Sequence, residues 1–372
     1  MTGFGIYIHW PFCRSKCPYC DFISLPAKHF DFDAWAKAYE ANLKTYANRT
    51  AGKTVTSIFF GGGTPSLMSP ELVSSLIKTI RSLWMVADDA EISMEVNPCS
   101  INAEKMRLFH QAGVNRLSVG VQSLNDKSLK FLGRLHTAEQ ALTVLKEAKN
   151  IFPLLSADFI YALPDQSLTD WRNELEKILE LNLKHLSLYQ LTIEEGSFFY
   201  KKGIRPAEDD LAADMFELTD RLTYQAGIER YEVSNHAAKG FECHHNLLYW
   251  QGGEWIGTGP AAHGRFTENG YFYATAQSNT PSEWLATQSG EETVLTLPEK
   301  AQELIFMALR TQEGINRTDF CQITGKQPED FLHTGTLQDY QTDGFLICDK
   351  KGIRMTAKGL MILNALCRTL LK

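Results

Sequence analysis

The sequence predicts an α/β fold: a partial, TIM-like barrel of six β/α units followed by a small C-terminal α+β domain of winged-helix type. Three observations carry this. Short apolar runs alternate with amphipathic ones from the first residues to about Ile193, which implies parallel strands joined by crossover helices. Six such units can be counted, so the barrel is open and not the closed eight. Beyond them the pattern loosens and then resumes as helices, a hairpin and a last helix.

The strands expected are Phe4–His9, Ser57–Phe60, Glu91–Val96, Arg116–Val119, Leu155–Ile160 and Leu186–Leu191. Helical patterns lie between them, near Phe32–Tyr46, Pro70–Leu83, Ala103–Ala112, Ala138–Lys149 and Leu168–Leu181. A further helix near Leu211–Gln225 leads to an aromatic- and glycine-rich stretch, His244 to Tyr273, and then a turn-rich linker, Ser278 to Pro298. The tail reads as helices near Ala301–Thr311 and Arg317–Thr324, a hairpin within Gly344–Met355, and a helix from Ala357. The division expected is residues 1–230 for the barrel, 231–295 for a connecting β-rich segment and 296–372 for the C-terminal domain.

Bulk properties narrow the function. The chain has 372 residues, 44% hydrophobic and 22% charged, with a formal net charge of -7. That balance argues against general nucleic-acid binding, which needs a basic footprint. No run of about 18 apolar residues suggests a membrane span. The N-terminus has no basic segment followed by an apolar core, so it does not read as a secretory signal. The eight cysteines are read against a reducing cytosol, and the expected location is cytoplasmic.

In β/α barrels the loops after the strands carry the chemistry. Here they hold Cys13, Cys17 and Cys20 after the first strand, Gly61-Gly62-Gly63-Thr64-Pro65 after the second and Glu95-Val96-Asn97-Pro98 at the third. Gly120-Val121-Gln122-Ser123 ends the fourth, Asp158 lies on the fifth and Tyr189-Gln190 on the sixth. These polar groups would converge on one mouth. Three thiolates at C-x3-C-x2-C spacing can bind three irons of a cubane cluster and leave the fourth open, whereas most electron-transfer clusters have four thiolates. The alternative, zinc, usually takes paired C-x2-C units or cysteines with histidines, and no second pair follows.

The cysteine spacing resembles that of the radical S-adenosylmethionine (SAM) superfamily. The resemblance implies a 4Fe-4S cluster on Cys13, Cys17 and Cys20, with the SAM amine and carboxylate on the open iron. SAM contacts carry over onto Tyr7, Tyr19, Gly62, Gly63, Thr64, Glu95, Gln122, Arg134, Asp158 and Gln190. Glycine permits close backbone approach at Gly62 and Gly63, and arginine suits a carboxylate at Arg134. His9 resembles a histidine close to the cluster; a hydrogen-bonded strand residue is the other reading.

Tyr7-x-His9-x-Pro11-Phe12-Cys13, the glycine loop, Glu95–Pro98, Gly120–Ser123 and Asp158-x-Ile160-Tyr161-x-Leu163-Pro164 together resemble the oxygen-independent coproporphyrinogen III oxidase family along nearly the whole chain. One departure matters. The oxidases read C-x3-C-x2-C-x-C, and Phe22 stands in the fourth position here. That points to the sister branch, the HemW-type heme chaperones, whose H-N-x-x-Y-W motif stands as His245-Asn246-Leu247-Leu248-Tyr249-Trp250. The resemblance implies heme as a third cofactor, held through His245, Tyr249 and Trp250, with His245 or its neighbour His244 as axial iron ligand and Cys243 as a second candidate contact. It also implies an acceptor protein, a membrane-bound one among the candidates, to which heme is passed. The chain is expected to be a monomer or weak dimer. The rival functions are radical decarboxylation of coproporphyrinogen III and, as a third class, radical modification of RNA or protein.

Overall fold

A computed structural model of the chain describes residues 3–27 and 29–372. Six strands run parallel in chain order: β1 (Phe4–Trp10), β2 (Thr54–Gly62), β3 (Met85–Val96), β4 (Arg116–Gln122), β5 (Leu154–Tyr161) and β6 (His185–Gln190). The crossover helices are Phe32–Arg49, Pro70–Leu83, Ala103–Ala112, Ala138–Lys149 and Leu168–Glu180. Their starts are written in the sequence. Ser69 caps the second, with Pro70 in its first turn; Thr137 with Gln140 and Ser167 with Asp170 form reciprocal capping boxes, each satisfying two otherwise orphaned N–H groups.

The strands bury one face against these helices in a single core that includes Ile6, Ile58, Met94, Leu117, Ala157 and Leu186. The other face looks into the barrel. On β4 the residues Ser118, Gly120 and Gln122 are half-buried, whereas Leu117, Val119 and Val121 are fully buried. This is the period-two alternation of a strand with a core on one side and a water-reached lumen on the other.

The sheet continues beyond the six units, which the sequence pattern did not show. Strand β7 (Glu254–Thr258) pairs in parallel with β1. Strands His263–Glu268, Tyr271–Gln277 and Gly290–Leu295 follow antiparallel; Asn235–Ala237 and Glu229–Arg230 add antiparallel at the β6 edge, and one 12-stranded sheet results. The segment expected to be a turn-rich linker thus contains a helix, Pro281–Thr287, and an edge strand. Proline pre-sets the helix start, and Trp284, fully buried against Trp35 and Tyr39, pins it to the first crossover helix. The segment 231–295, expected to be β-rich, also contains a helix, His244–Trp250.

The tail has its own core, from Ala301 to Leu370. It comprises helices Leu297–Ala308, Arg317–Thr324, Thr334–Thr342, Ala357–Met361 and Leu363–Leu370 around a three-stranded sheet. The Gln312 N–H donates to Tyr231 C=O and a β-bridge joins Glu232 to Thr311, tying it to the barrel.

Candidate cofactor site

A cavity of about 430 Å³ opens at the C-terminal ends of the barrel strands, within the size range of ligand pockets. Its wall brings together Cys13, Cys17, Tyr19, Cys20, Gly62, Gly63, Thr64, Glu95, Gln122, Arg134, Asp158 and Gln190. Two residues expected there lie deeper: Tyr7 and His9 are not on this wall but beneath it.

Backbone bonds hold the cysteine loop on the glycine loop. Gly63 N–H donates to Trp10 C=O and Thr64 N–H to Phe12 C=O, both at 2.8 Å. Leu25 and Ala27 return to Pro11 and Cys13 through their N–H groups. The three glycines have separate jobs. A Cβ at Gly61 would lie 2.8 Å from the Tyr7 ring, at Gly62 2.5 Å from the His9 ring, and at Gly63 2.6 Å from Phe12 C=O. Each side chain that glycine omits is the space another residue fills.

The three thiols are half-buried. Thr64 Oγ1 donates to Cys13 Sγ at 3.2 Å and Arg134 Nη1 to Cys17 Sγ at 3.4 Å. Burial pushes the Cys20 thiol up to about 11. Among the described residues no three His, Cys, Asp or Glu side chains converge on a single ion. A cubane cluster takes one thiolate per iron and so needs them spread apart.

Arg134 is the half-buried cation of the site. Nη2 donates to Gly120 C=O at 2.9 Å, while the buried Nε has no partner. Two carboxyls face it across the lumen. Burial, and then the neighbouring Asp158, pushes Glu95 up to about 8; the Gly62 N–H that donates to it at 3.1 Å works the other way. Burial raises Asp158 to about 6, against hydrogen bonds from Ser187 and Ser118 and the Arg134 charge. Water reaches these groups through the mouth: Tyr189 is 41% exposed. Yet protein surrounds them, and the charged carboxylate forms pay for that.

The radical SAM superfamily model matches residues 7–181 and the HemN C-terminal domain model residues 295–362. The chain is 36% identical to the heme chaperone HemW of Escherichia coli (strain K12), over 98% of this chain and 97% of that protein. It is also 36% identical to the mitochondrial radical S-adenosyl methionine domain-containing protein 1 of Mus musculus, over 100% of this chain and 88% of that protein. The chain belongs to the HemW family of radical SAM proteins. Its fold matches the solved coproporphyrinogen III oxidase (HemN) from Escherichia coli, with a TM-score of 0.82 at 23% identity, covering 99% of this chain and 90% of that one.

A radical SAM protein holds a 4Fe-4S cluster and SAM, and this HemW-family cavity fits both. Cys13, Cys17 and Cys20 would supply three thiolates from one loop. The half-buried Arg134 guanidinium, whose Nε has no partner, has the planar donor fork a carboxylate takes. Glu95 and Asp158, costly to ionise alone, suit a cationic ligand that lets them keep their charge.

The His245–Trp250 motif lies elsewhere, on the barrel floor. Its helix begins where the Glu91 carboxylate accepts the N–H groups of His244 and His245 and Cys243 Sγ–H. Glu91 is paired with Arg116, both almost fully buried. Burial pushes Glu91 up, but Arg116 and the His244 N–H outweigh it and hold the carboxyl below its usual range. His245 is 1% exposed. Its Nδ1 is bonded to Ser57 Oγ at 2.8 Å and its Nε2 to Tyr249 Oη at 2.6 Å. The axial-ligand role implied for His245 therefore does not fit this arrangement: neither nitrogen is open to iron. Tyr249 packs on Trp255, and Trp250 lies under the Arg310 guanidinium.

Sequence reasoning missed Ser118, whose hydroxyl donates to Asp158 at 2.8 Å. Its signal was its place in the Ser118, Gly120, Gln122 alternation. It also missed Glu174, which accepts from Ser123 Oγ and Leu124 N–H at 2.6 Å each and sets the loop after β4. Nothing in the helix pattern marks Glu174 as different from its charged neighbours.

Proposed function

We propose that this protein is a heme chaperone: it holds a 4Fe-4S cluster and SAM in the barrel mouth, binds heme, and passes heme to an acceptor. The single observation that carries the reading is full-length likeness to HemW heme chaperones, joined to a cysteine loop with Phe22 in place of a fourth cysteine. Phe22 is 58% exposed on the cavity wall. It offers an apolar face where the decarboxylases carry a thiol.

When bound, the cluster supplies one electron at low potential at its open iron. The chain's own residues prepare that place. Cys13, Cys17 and Cys20 leave one iron position free. Arg134 orients the SAM carboxylate and balances thiolate charge at Cys17. Gly62 and Gly63 bring backbone to the ligand, and Thr64 holds Cys13. Glu95, Asp158 and Gln122 serve the ammonium and ribose hydroxyls, with Tyr19 and Gln190 on the rim. Tyr7 contributes from below, through His9.

Heme binding through the motif requires contacts other than the His245 nitrogens. Tyr249 and Trp250 are half-buried and His244 is exposed, so the outer surface of this helix is the part available to a macrocycle. The acceptor is a protein, with a membrane-bound one among the candidates; among the described residues no helix of the carrier itself is long and apolar enough to cross a membrane. We place the chain in the cytoplasm, acting as a monomer or weak dimer without nucleic acid.

The test is heme titration of the purified, cluster-loaded protein, then incubation with an acceptor membrane fraction. A saturable Soret shift, reversed as heme moves to the membranes, is expected. Absence of a saturable shift overturns the reading. Carbon dioxide release from coproporphyrinogen III under anaerobic, reducing conditions with SAM, above a cluster-free control, would establish the decarboxylase instead.

A further inference from the structure

The imidazole of His245 sits at the opposite end of the barrel from the cavity, yet side chains connect the two without a break. Its ring stacks on Phe59, with centroids 5.1 Å apart, and on Tyr7 at 6.4 Å. Tyr7 Oη is 3.1 Å from His9 Nδ1, and His9 Nε2 is 3.0 Å from Ile23 C=O. A carbonyl only accepts, so His9 carries its proton on Nε2 and accepts a hydrogen bond from the Tyr7 hydroxyl at Nδ1. Burial lowers the His9 pKa, which keeps that neutral form. Ile23 lies just past Cys20, on the strand of loop that returns to Pro11 through Leu25.

The path has no slack. A Cβ at Gly5 would lie 3.2 Å from the His245 ring, one at Gly61 2.8 Å from the Tyr7 ring, and one at Gly62 2.5 Å from the His9 ring. The far end is equally fixed. Ser57 and Tyr249 hold both His245 nitrogens, and Glu91 holds the helix that carries it.

We propose that His245 is a positioning residue for the cluster and SAM: the His244–Trp250 helix is a floor that sets Tyr7, and through Tyr7 and His9 fixes where the cysteine loop stands. This rests on the cluster and SAM reading of the mouth and is independent of where heme binds. Closely packed elements move between discrete arrangements and do not deform continuously, so loosening the floor shifts the loop.

Ser57→Ala and Tyr249→Phe each free one His245 nitrogen without touching the cavity wall, on which neither residue lies. The experiment measures iron content, SAM affinity by calorimetry and the electron paramagnetic resonance (EPR) spectrum of the reduced cluster with and without SAM. Both variants are expected to load iron as wild type does. SAM binding should weaken by about 2- to 30-fold, the span of measured long-range couplings, and the SAM-induced change in the EPR spectrum should diminish. Lowered melting temperatures with wild-type SAM affinity and spectra would overturn the proposal, leaving the floor merely structural. A wild-type protein that takes up no cluster would overturn the underlying reading, and this proposal with it.

Discussion

The two ends of the barrel are built from the same six strands and differ in one respect. At the mouth, polar groups are under-satisfied: Arg134 Nε has no partner, and Glu95 and Asp158 face each other with raised pKa values. At the floor, the groups around Glu91, His185 and His245 are satisfied by the chain itself, although Asn235 Oδ1 and the His236 ring nitrogens beside β6 have no hydrogen-bond partner. Arg116 spans Glu91 and the carbonyls of Phe241 and Glu242. His185 joins Ser156 to Tyr231, and His245 joins Ser57 to Tyr249. Buried polar groups without partners are costly. The mouth bears a cost that a ligand would relieve; at the floor the Glu91, Arg116, His185 and His245 side chains already spend their polar atoms on the chain itself. A histidine beside aromatics is therefore not read alike at both ends.

Four experiments break or sharpen the contrast. The largest effect belongs to the cysteine loop. Cys17→Ala removes one of three thiolates and should abolish the cluster, read as loss of iron and of the visible iron–sulfur absorbance, with the fold intact by circular dichroism.

At the floor, Arg116→Met strands the Glu91 carboxylate in an almost fully buried place. Removing one partner of a buried pair costs about 3–5 kcal/mol, so denaturant melts should show a loss of that order. A change below about 1 kcal/mol, the range of exposed pairs, would mean that the floor is not the rigid end.

Arg134→Lys keeps the charge but loses the fork. SAM affinity should fall by about 1.5–3 kcal/mol, the worth of a hydrogen bond to a charged group, while stability changes little. Equal affinity by calorimetry would remove Arg134 from the carboxylate contact.

The smallest effect is that of pH. Below about 6 both lumen carboxyls are protonated; Asp158 ionises near 6 and Glu95 near 8. A cationic ligand favours the ionised forms, so its binding releases protons in that window and its affinity rises from pH 6 to 8 and then levels. Glu95→Gln should flatten the upper part of the rise. An affinity that falls with pH over this range contradicts the assignment.

Most of the mouth was legible because its residues stand at strand ends, where a parallel fold must gather them. Gly62 and Gly63 were readable as close-approach residues, though not that each of the three glycines, Gly61 included, accommodates a different neighbour. Ser118 escaped because it sits within a strand, visible only through alternation. The floor was opaque for a different reason. His244–Trp250 is seven residues long, too short for a helical period to emerge. Its contacts, Glu91 and Ser57, lie over 150 residues away in sequence. The strand Gly290–Leu295 was hidden because five of its six residues are exposed, so no apolar pattern marks it.

The division of labour between mouth and floor is tested most directly by heme titration of cluster-loaded His245→Gln protein beside wild type, with SAM affinity measured on the same samples. If the floor histidine holds structure and not heme, the variant should keep a saturable Soret shift of wild-type affinity while SAM binding weakens. Loss of the heme-dependent shift with SAM affinity unchanged would contradict the account and restore His245 as the heme ligand.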